Sequence, residues 1–235
     1  MSFLTAEWRK LIMANYAVDK DILKQYVPNK TELDLWNDTC YVSLVGFKFA
    51  NVRLLGMPIP FHTNFEEVNL RFYVKYKDGN EWKRGTVFIS EIVPKHAISF
   101  VANTLYNEAY STMPMKYSWD ETSDNLRVEY AWQCKGAWQN MKVEAENRLL
   151  TMAEGSETEF ITEHYWGYNR ASAEKTIEYQ VTHPRWDYYD IKNYEINVDF
   201  GLVYGEEFKF LNQITPKSVF LSEGSAITVE GKRTI

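Results

Sequence analysis

From Phe65 to Tyr76 apolar and polar side chains largely alternate, Asp78-Gly79 follows, and a second alternating run extends from Gly85 to Val93. A period of two marks strands, and Asp-Gly supplies the positive backbone angles of a tight turn, so this stretch predicts an antiparallel hairpin. The same period predicts strands at residues 8–18, 32–36, 40–49, 125–134, 138–146, 163–168, 176–183, 218–221 and 226–229. Helical spacing is rarer. Asp19 can cap a short helix that Pro28 ends, and Ser156 with Glu159 has the spacing of a capping box ahead of residues 157–163. After Pro94, the apolar positions Ala97, Ile98, Val101, Ala102, Leu105 and Ala109 fit a third helix. Residues 54–61 contain Gly56, Pro58 and Pro60 and read as a loop or rim, while residues 200–210 fit neither period. Without repeats or a Pro/Gly/Ser-rich linker, the pattern predicts an α+β protein. It would be one domain over residues 1–235, built on a large, mostly antiparallel β-barrel or sheet with a few short helices.

Composition narrows the partners. Aromatic residues make up 16% of the chain, which suits strands and the filling of a wide apolar interior. The net charge is −6 and no Lys/Arg run exceeds two, so a nucleic-acid partner is not expected. Uncharged runs reach about twelve residues, short of the ~20 that span a bilayer. The opening MSFLTAEWRK lacks a basic-then-apolar leader pattern, so no membrane and a cytoplasmic location are expected. Cys40 and Cys134 lie far apart in apolar contexts, and His62, His96, His164 and His183 lack ligand spacing; no metal and no cofactor are expected. The eleven glycines form no phosphate-cradling loop, and no G-x-S-x-G elbow is present. Oligomeric state is not legible, and a homo-oligomer is compatible with the chain.

Four groups of residues carry candidate chemistry. In the first hairpin strand, Glu67, Asn69, Arg71 and Tyr73 share one face, opposite Val68, Leu70 and Phe72. An ordinary amphipathic strand turns such a face to water; a barrel turns it inward, where it can orient a small polar ligand. On the returning strand, period two groups Glu91 with Val87, Ile89 and Val93, an apolar setting that raises a carboxylic acid's pKa and suits a general acid or base. The alternative is a strand end that places Glu91 in solvent. His183 precedes Pro184 and is held extended, with Trp186 close enough in sequence to form a wall beside it. Lys116 follows Pro114 and Met115 on a stretch that reads as loop, where a lysine is ordinarily a solvated charge.

Several segments together resemble a known family. Tyr16 to Asp19, Ile22-Leu23 and Tyr26 to Pro28 resemble the opening of the acetoacetate decarboxylase superfamily, as does the order Phe65-Glu66-Glu67, hairpin, helix, Met113-Pro114-Met115-Lys116. Glu67 to Val74, Thr182 to Trp186 and Ser218 to Ser225 resemble an uncharacterised YqjF-like branch of it. The resemblance spans nearly the whole chain and implies an acetoacetate decarboxylase-like barrel around a small-molecule pocket. In the decarboxylases a proline precedes two lysines, the first forming a Schiff base with a β-keto acid and the second lowering its pKa. Here Met115 stands at the first position and Lys116 at the second, so Schiff-base decarboxylation is not expected. The stretch carrying them is expected to line or close the pocket.

Two functions follow as expectations. One is acid–base chemistry on a small oxygenated organic compound, with Glu67 transferring the proton, Arg71 anchoring an anion and Asn69 orienting. Ligand contacts would then extend to Tyr73, Glu91, Met115, Lys116, His183 and Trp186. The other is non-catalytic binding or sensing of a small hydrophobic or aromatic ligand. A filled barrel with no cavity is the third outcome.

Overall fold

The computed structural model describes residues 2–99, 103 and 109–235. Among these, fifteen strands join in one sheet. Seven of them close a ring: β1 (Leu4–Val18), β3 (Cys40–Leu54), β5 (Phe65–Asp78), β6 (Glu81–Val93), β11 (Trp166–Arg170), β12 (Thr176–Thr182) and β14 (Ser218–Val229). Closure depends on β14, whose last residues pair with β12 through Val181–Val229 and Thr182–Thr228. Neighbours in the ring run antiparallel except β6 and β11, which are parallel. Earlier along β14, Leu221 and Ser222 pair instead with β13 (Asp187–Asn197). There the sheet leaves the ring and continues through β10 (Ala137–Thr151) and β9 (Asn125–Cys134) to β8 (Met115–Glu121).

That outer flap packs against the ring's outside wall. Val42, Leu44, Val68, Leu70 and Phe72 from the wall meet Val128, Tyr130, Met141 and Val143 from the flap in one apolar core. Gly46 permits the close approach, since a Cβ there would stand 2.8 Å from Met141 Sδ. A second core lies inside the ring and includes Leu11, Met13, Phe47, Phe49, Phe65 and Trp186. Strand β5 therefore has no wet face along its first ten residues. Each fully buried side chain such as Leu70 or Phe72 contributes about 1.5–3 kcal/mol of transfer free energy.

Two bulges set which side chains reach the interior. In β1 the register shifts between Arg9 and Ile12, with Lys10 at φ 52°, so Trp8 and then Leu11 and Met13 face inward. Lys10 itself is buried but turns elsewhere, donating to Glu223 Oε2 (2.8 Å) and the Tyr189 hydroxyl (2.7 Å). In β6 the shift falls opposite Leu70 and Arg71, where Ser90 and then Phe88 are their partners and Ile89 is the extra residue.

The hairpin, strands β9 and β10 of the flap and the short helices at 20–23 and 157–162 occur where expected. Asp19 accepts from the Asp21 amide, and Ser156 accepts from the Glu159 amide at 3.2 Å. Glu159 reaches the Gly155 amide at 2.6 Å, one residue before the position that would complete a capping box. Other expectations need correction. Residues 110–112 and 115–121 are strands β7 and β8, because Tyr110–Thr112 ladders onto β6 and Met115–Glu121 onto β9. The two runs at 218–229 form one strand whose polar middle stays paired to β1. Residues 200–204 and 206–213 are an α-helix and a 3-10 helix. The described residues of the helix after Pro94 are 96–99 and 103; Val101, Ala102 and Leu105 lie outside the described residues, and Ala109 is not helical. No described helix is long and apolar enough to cross a membrane.

Candidate functional site

The ring encloses a cavity of about 250 Å³, lined by all seven ring strands and by the segment following the helix at 157–162. From β5, Glu67, Asn69 and Arg71 project into it and are 2%, 1% and 7% exposed, which excludes a solvated polar face. Asn69 Nδ2 donates to Glu67 Oε1 at 3.0 Å, and the Tyr110 hydroxyl from β7 donates to Glu67 Oε2 at 2.9 Å. The Glu67 carboxylate is thereby gripped at both oxygens. Glu91 also lines the cavity, buried and opposite Asn69. Its neighbours are not those period two predicts. The bulge at Ile89 inverts the phase of β6, so Glu91 follows Thr86 and Phe88 inward while Val87 and Ile89 pack outside.

Arg71 brings a buried positive charge to the cavity. Among the described residues its guanidinium has no carboxylate within ion-pairing distance; Nη2 lies 3.9 Å from Met13 Sδ, and the guanidinium carbon lies 5.7 Å from the Tyr73 ring centroid. Its Nε is buried with no hydrogen-bond partner among the described residues. A buried, unpaired guanidinium is costly, and an anionic ligand offers a planar, bidentate solution.

Three histidines, His62, His164 and His183, line the same space. His183 stacks on Trp186 with centroids 4.1 Å apart, and Trp8 closes the same wall 6.1 Å from Trp186. Burial, with a further contribution from the Arg71 charge, pushes His183 down to about 4 against its Pro184 carbonyl contact. His164 is more deeply held. Its Nε2 lies 3.1 Å from Asp34 Oδ2, Arg84 Nε donates to that same oxygen at 2.6 Å, and the ring packs on Tyr73 at 4.6 Å. Burial pushes its pKa down to about 4; Asp34 opposes the shift, and Arg84 and Arg71 add to it. Burial would raise Asp34, but hydrogen bonds from His164 and Arg84 outweigh it and hold the carboxyl below its usual range.

Three expected contacts lie away from the cavity lining. Tyr73 sits behind it, its hydroxyl donating to Ser43 at 2.8 Å. Met115 packs into the core outside the ring, and Lys116 is exposed on β8 with its ammonium 4.6 Å from the Trp138 ring centroid. No residue from Ser111 to Trp119 lines the cavity: Ser111 and Thr112 pair along the ring strand β6, and Met115 to Trp119 continue the outer ladder on β9. No lysine lines the cavity among the described residues, and residues 100–102 and 104–108 contain none. No cluster of three or more potential metal ligands occurs among the described residues. Both cysteines are buried and free, with Cys40 pushed up to about 11 by burial.

Sequence reasoning missed His164, Asp34, Trp8 and Tyr110. The first two are 130 residues apart, and no periodic signal joins them. Trp8 falls on the expected first strand, but only the bulge after it decides the phase.

Comparison with known proteins places this arrangement. The profile of DUF2071, described as an uncharacterized conserved protein, matches residues 5–226. The uncharacterized protein YqjF of Bacillus subtilis (strain 168) is 34% identical over 110 residues, covering 46% of this chain and 44% of that protein. The enduracididine biosynthesis enzyme MppR superposes with a TM-score of 0.73 at 11% identity, covering all of this chain and 88% of its own. An acetoacetate decarboxylase from Legionella pneumophila superposes at 0.66 with 12% identity, covering 99% of this chain and 86% of its own. At these identities the structural likeness establishes the fold: an acetoacetate decarboxylase-like barrel.

Proposed function

From the premise that this chain belongs to the DUF2071 family and has the acetoacetate decarboxylase-like fold, we propose that its barrel binds a small oxygenated organic anion and performs acid–base chemistry on it without forming an imine. What carries the reading is the convergence of Glu67, Asn69, Arg71 and Glu91 on one cavity that no lysine lines. Arg71 anchors the anion, whose charge relieves the unpaired guanidinium. Asn69 and Tyr110 hold Glu67 in a fixed rotamer, so that its carboxylate meets the ligand's acidic hydrogen without reorganising first. The imine route needs a desolvated amine at the reacting carbon, and both Met115 and Lys116 lie outside.

A second reading, binding without chemistry, draws support from a different observation: Trp8, Phe47, Phe49, Phe65 and Phe88 make much of the lining apolar and aromatic. One experiment separates the two. A thermal-shift screen with aromatic carboxylates and small oxo acids identifies binders, since MppR is known in complex with pyruvate and a ligand that binds only the folded state raises the melting temperature. NMR of each binder after incubation then looks for proton exchange or product. Chemical change abolished in Glu67→Gln supports the catalytic reading; activity retained in that variant refutes the role of Glu67, and binders that stay unchanged favour the second reading.

A further inference from the structure

We propose that His164, oriented by Asp34, serves as a hydrogen-bond acceptor of the cavity, and that with Arg71 it selects apolar carboxylates that carry a hydroxyl group. The inference rests on the anion-binding reading above and adds the second polar feature of the ligand.

The argument begins with the tautomer. Asp34 Oδ2 lies 3.1 Å from His164 Nε2, and a carboxylate accepts, so Nε2 carries the hydrogen. Arg84 fixes that carboxylate through Nε at 2.6 Å. Its Nη2 also approaches Nε2 at 3.3 Å, but a protonated nitrogen cannot accept, and that N–H has the Phe160 carbonyl at 3.4 Å. The remaining nitrogen, Nδ1, is then a lone pair. Among the described residues it is buried without a hydrogen-bond partner, while the residue lines the cavity and its side chain is only 1% exposed.

A histidine kept for structure alone normally has both ring nitrogens satisfied by the protein. Here one is anchored through a hydrogen-bonded chain from Arg84 through Asp34, and the other is left without a partner in a residue that lines the cavity. Tyr73 and Phe160 clamp the ring at 4.6 and 5.1 Å, so it cannot turn away. The low pKa of His164 keeps that lone pair available across the neutral range. Arg71 is close enough for its charge to reach the ring. An anion on Arg71 and a donor on His164 describe a hydroxycarboxylate, with the aromatic lining receiving its apolar body.

The test compares hydrocinnamate with phenyllactate, which share the ring and carboxylate and differ by one hydroxyl. Calorimetric titration of the full chain should show both binding, both lost in Arg71→Met, and phenyllactate tighter by roughly tenfold, the increment of one buried hydrogen bond. His164→Gln places its amide where Nε2 was, keeping a partner for Asp34 while deleting the Nδ1 acceptor. It should erase the preference for phenyllactate and leave hydrocinnamate unchanged; His164→Phe, which keeps the ring packing, should do the same. Equal affinity for the two acids, or a preference that survives His164→Gln, overturns the role of His164 and leaves the anion site standing. Failure of both acids to bind, or binding indifferent to Arg71→Met, overturns the anion reading and this inference with it.

Discussion

Acidification should destabilise this protein well before its carboxylates titrate, and His164 is the main cause. In the unfolded chain an imidazole titrates near 6.5; in the fold, burial pushes His164 down to about 4, with Arg84 and Arg71 adding to the effect and Asp34 partly offsetting it. The folded value is the lower one, so the unfolded state binds more protons throughout that window. Stability is full above the unfolded value and falls as the pH drops from 6.5 toward 4. The gap corresponds to about 3 kcal/mol, of which about 2 kcal/mol is lost on going from ~pH 8 to ~pH 5. Asp34 does not blur this: its carboxyl is held below the usual range, so its contribution disappears only at more acid pH. His183 acts in the same direction by a smaller amount, because its ring is partly open to solvent. Urea denaturation at a series of pH values gives the free energy directly, provided the slope against denaturant stays constant. His164→Gln should reduce the loss by about 2 kcal/mol. A wild-type stability that is flat over the window, or a variant that keeps the whole wild-type loss, would refute the reasoning.

Arg71→Met should raise stability by about 1–2 kcal/mol in urea melts while abolishing anion binding, since it replaces an unpaired buried charge with a shorter, unbranched apolar chain. Incubation with acetoacetate or pyruvate and borohydride should leave the intact mass unchanged; an adduct on any lysine would overturn the exclusion of imine chemistry. Leu70→Ala, at a fully buried position on the outer side of β5, should cost about 2–5 kcal/mol and leave ligand preference unaltered in calorimetry.

The strands were legible where one period ran uninterrupted. The runs 65–76 and 85–93 announce the hairpin strands Phe65–Asp78 and Glu81–Val93 through alternation and Asp-Gly, and the face shared by Glu67, Asn69 and Arg71 follows directly. Whether that face met water was not legible, because β5 is covered on both sides by segments distant in sequence. Ring closure rests on two residue pairs between β12 and β14, too few to leave a pattern. The bulge at Ile89 adds one residue without any glycine to mark it, so the neighbours of Glu91 could not be counted out by twos. Strand β13 was overlooked because most of its residues are exposed and its sequence is correspondingly polar. Lys116 misled through its proline context: a residue following Pro114 reads as loop, yet the Pro114 carbonyl accepts from the Gln133 amide and starts a ladder.

The double burial of β5 has a consequence for how such a scaffold can diversify. Along this strand the odd positions 67, 69 and 71 face the cavity, and the even positions 68, 70 and 72 face the flap. Changes in the first column alter what the barrel accepts, while changes in the second alter whether there is a barrel. The two columns interleave residue by residue yet answer to different selective pressures. A lineage acquiring a new ligand on this fold should therefore vary at every other residue of β5 and hold the rest constant, leaving a stripe of divergence one residue wide.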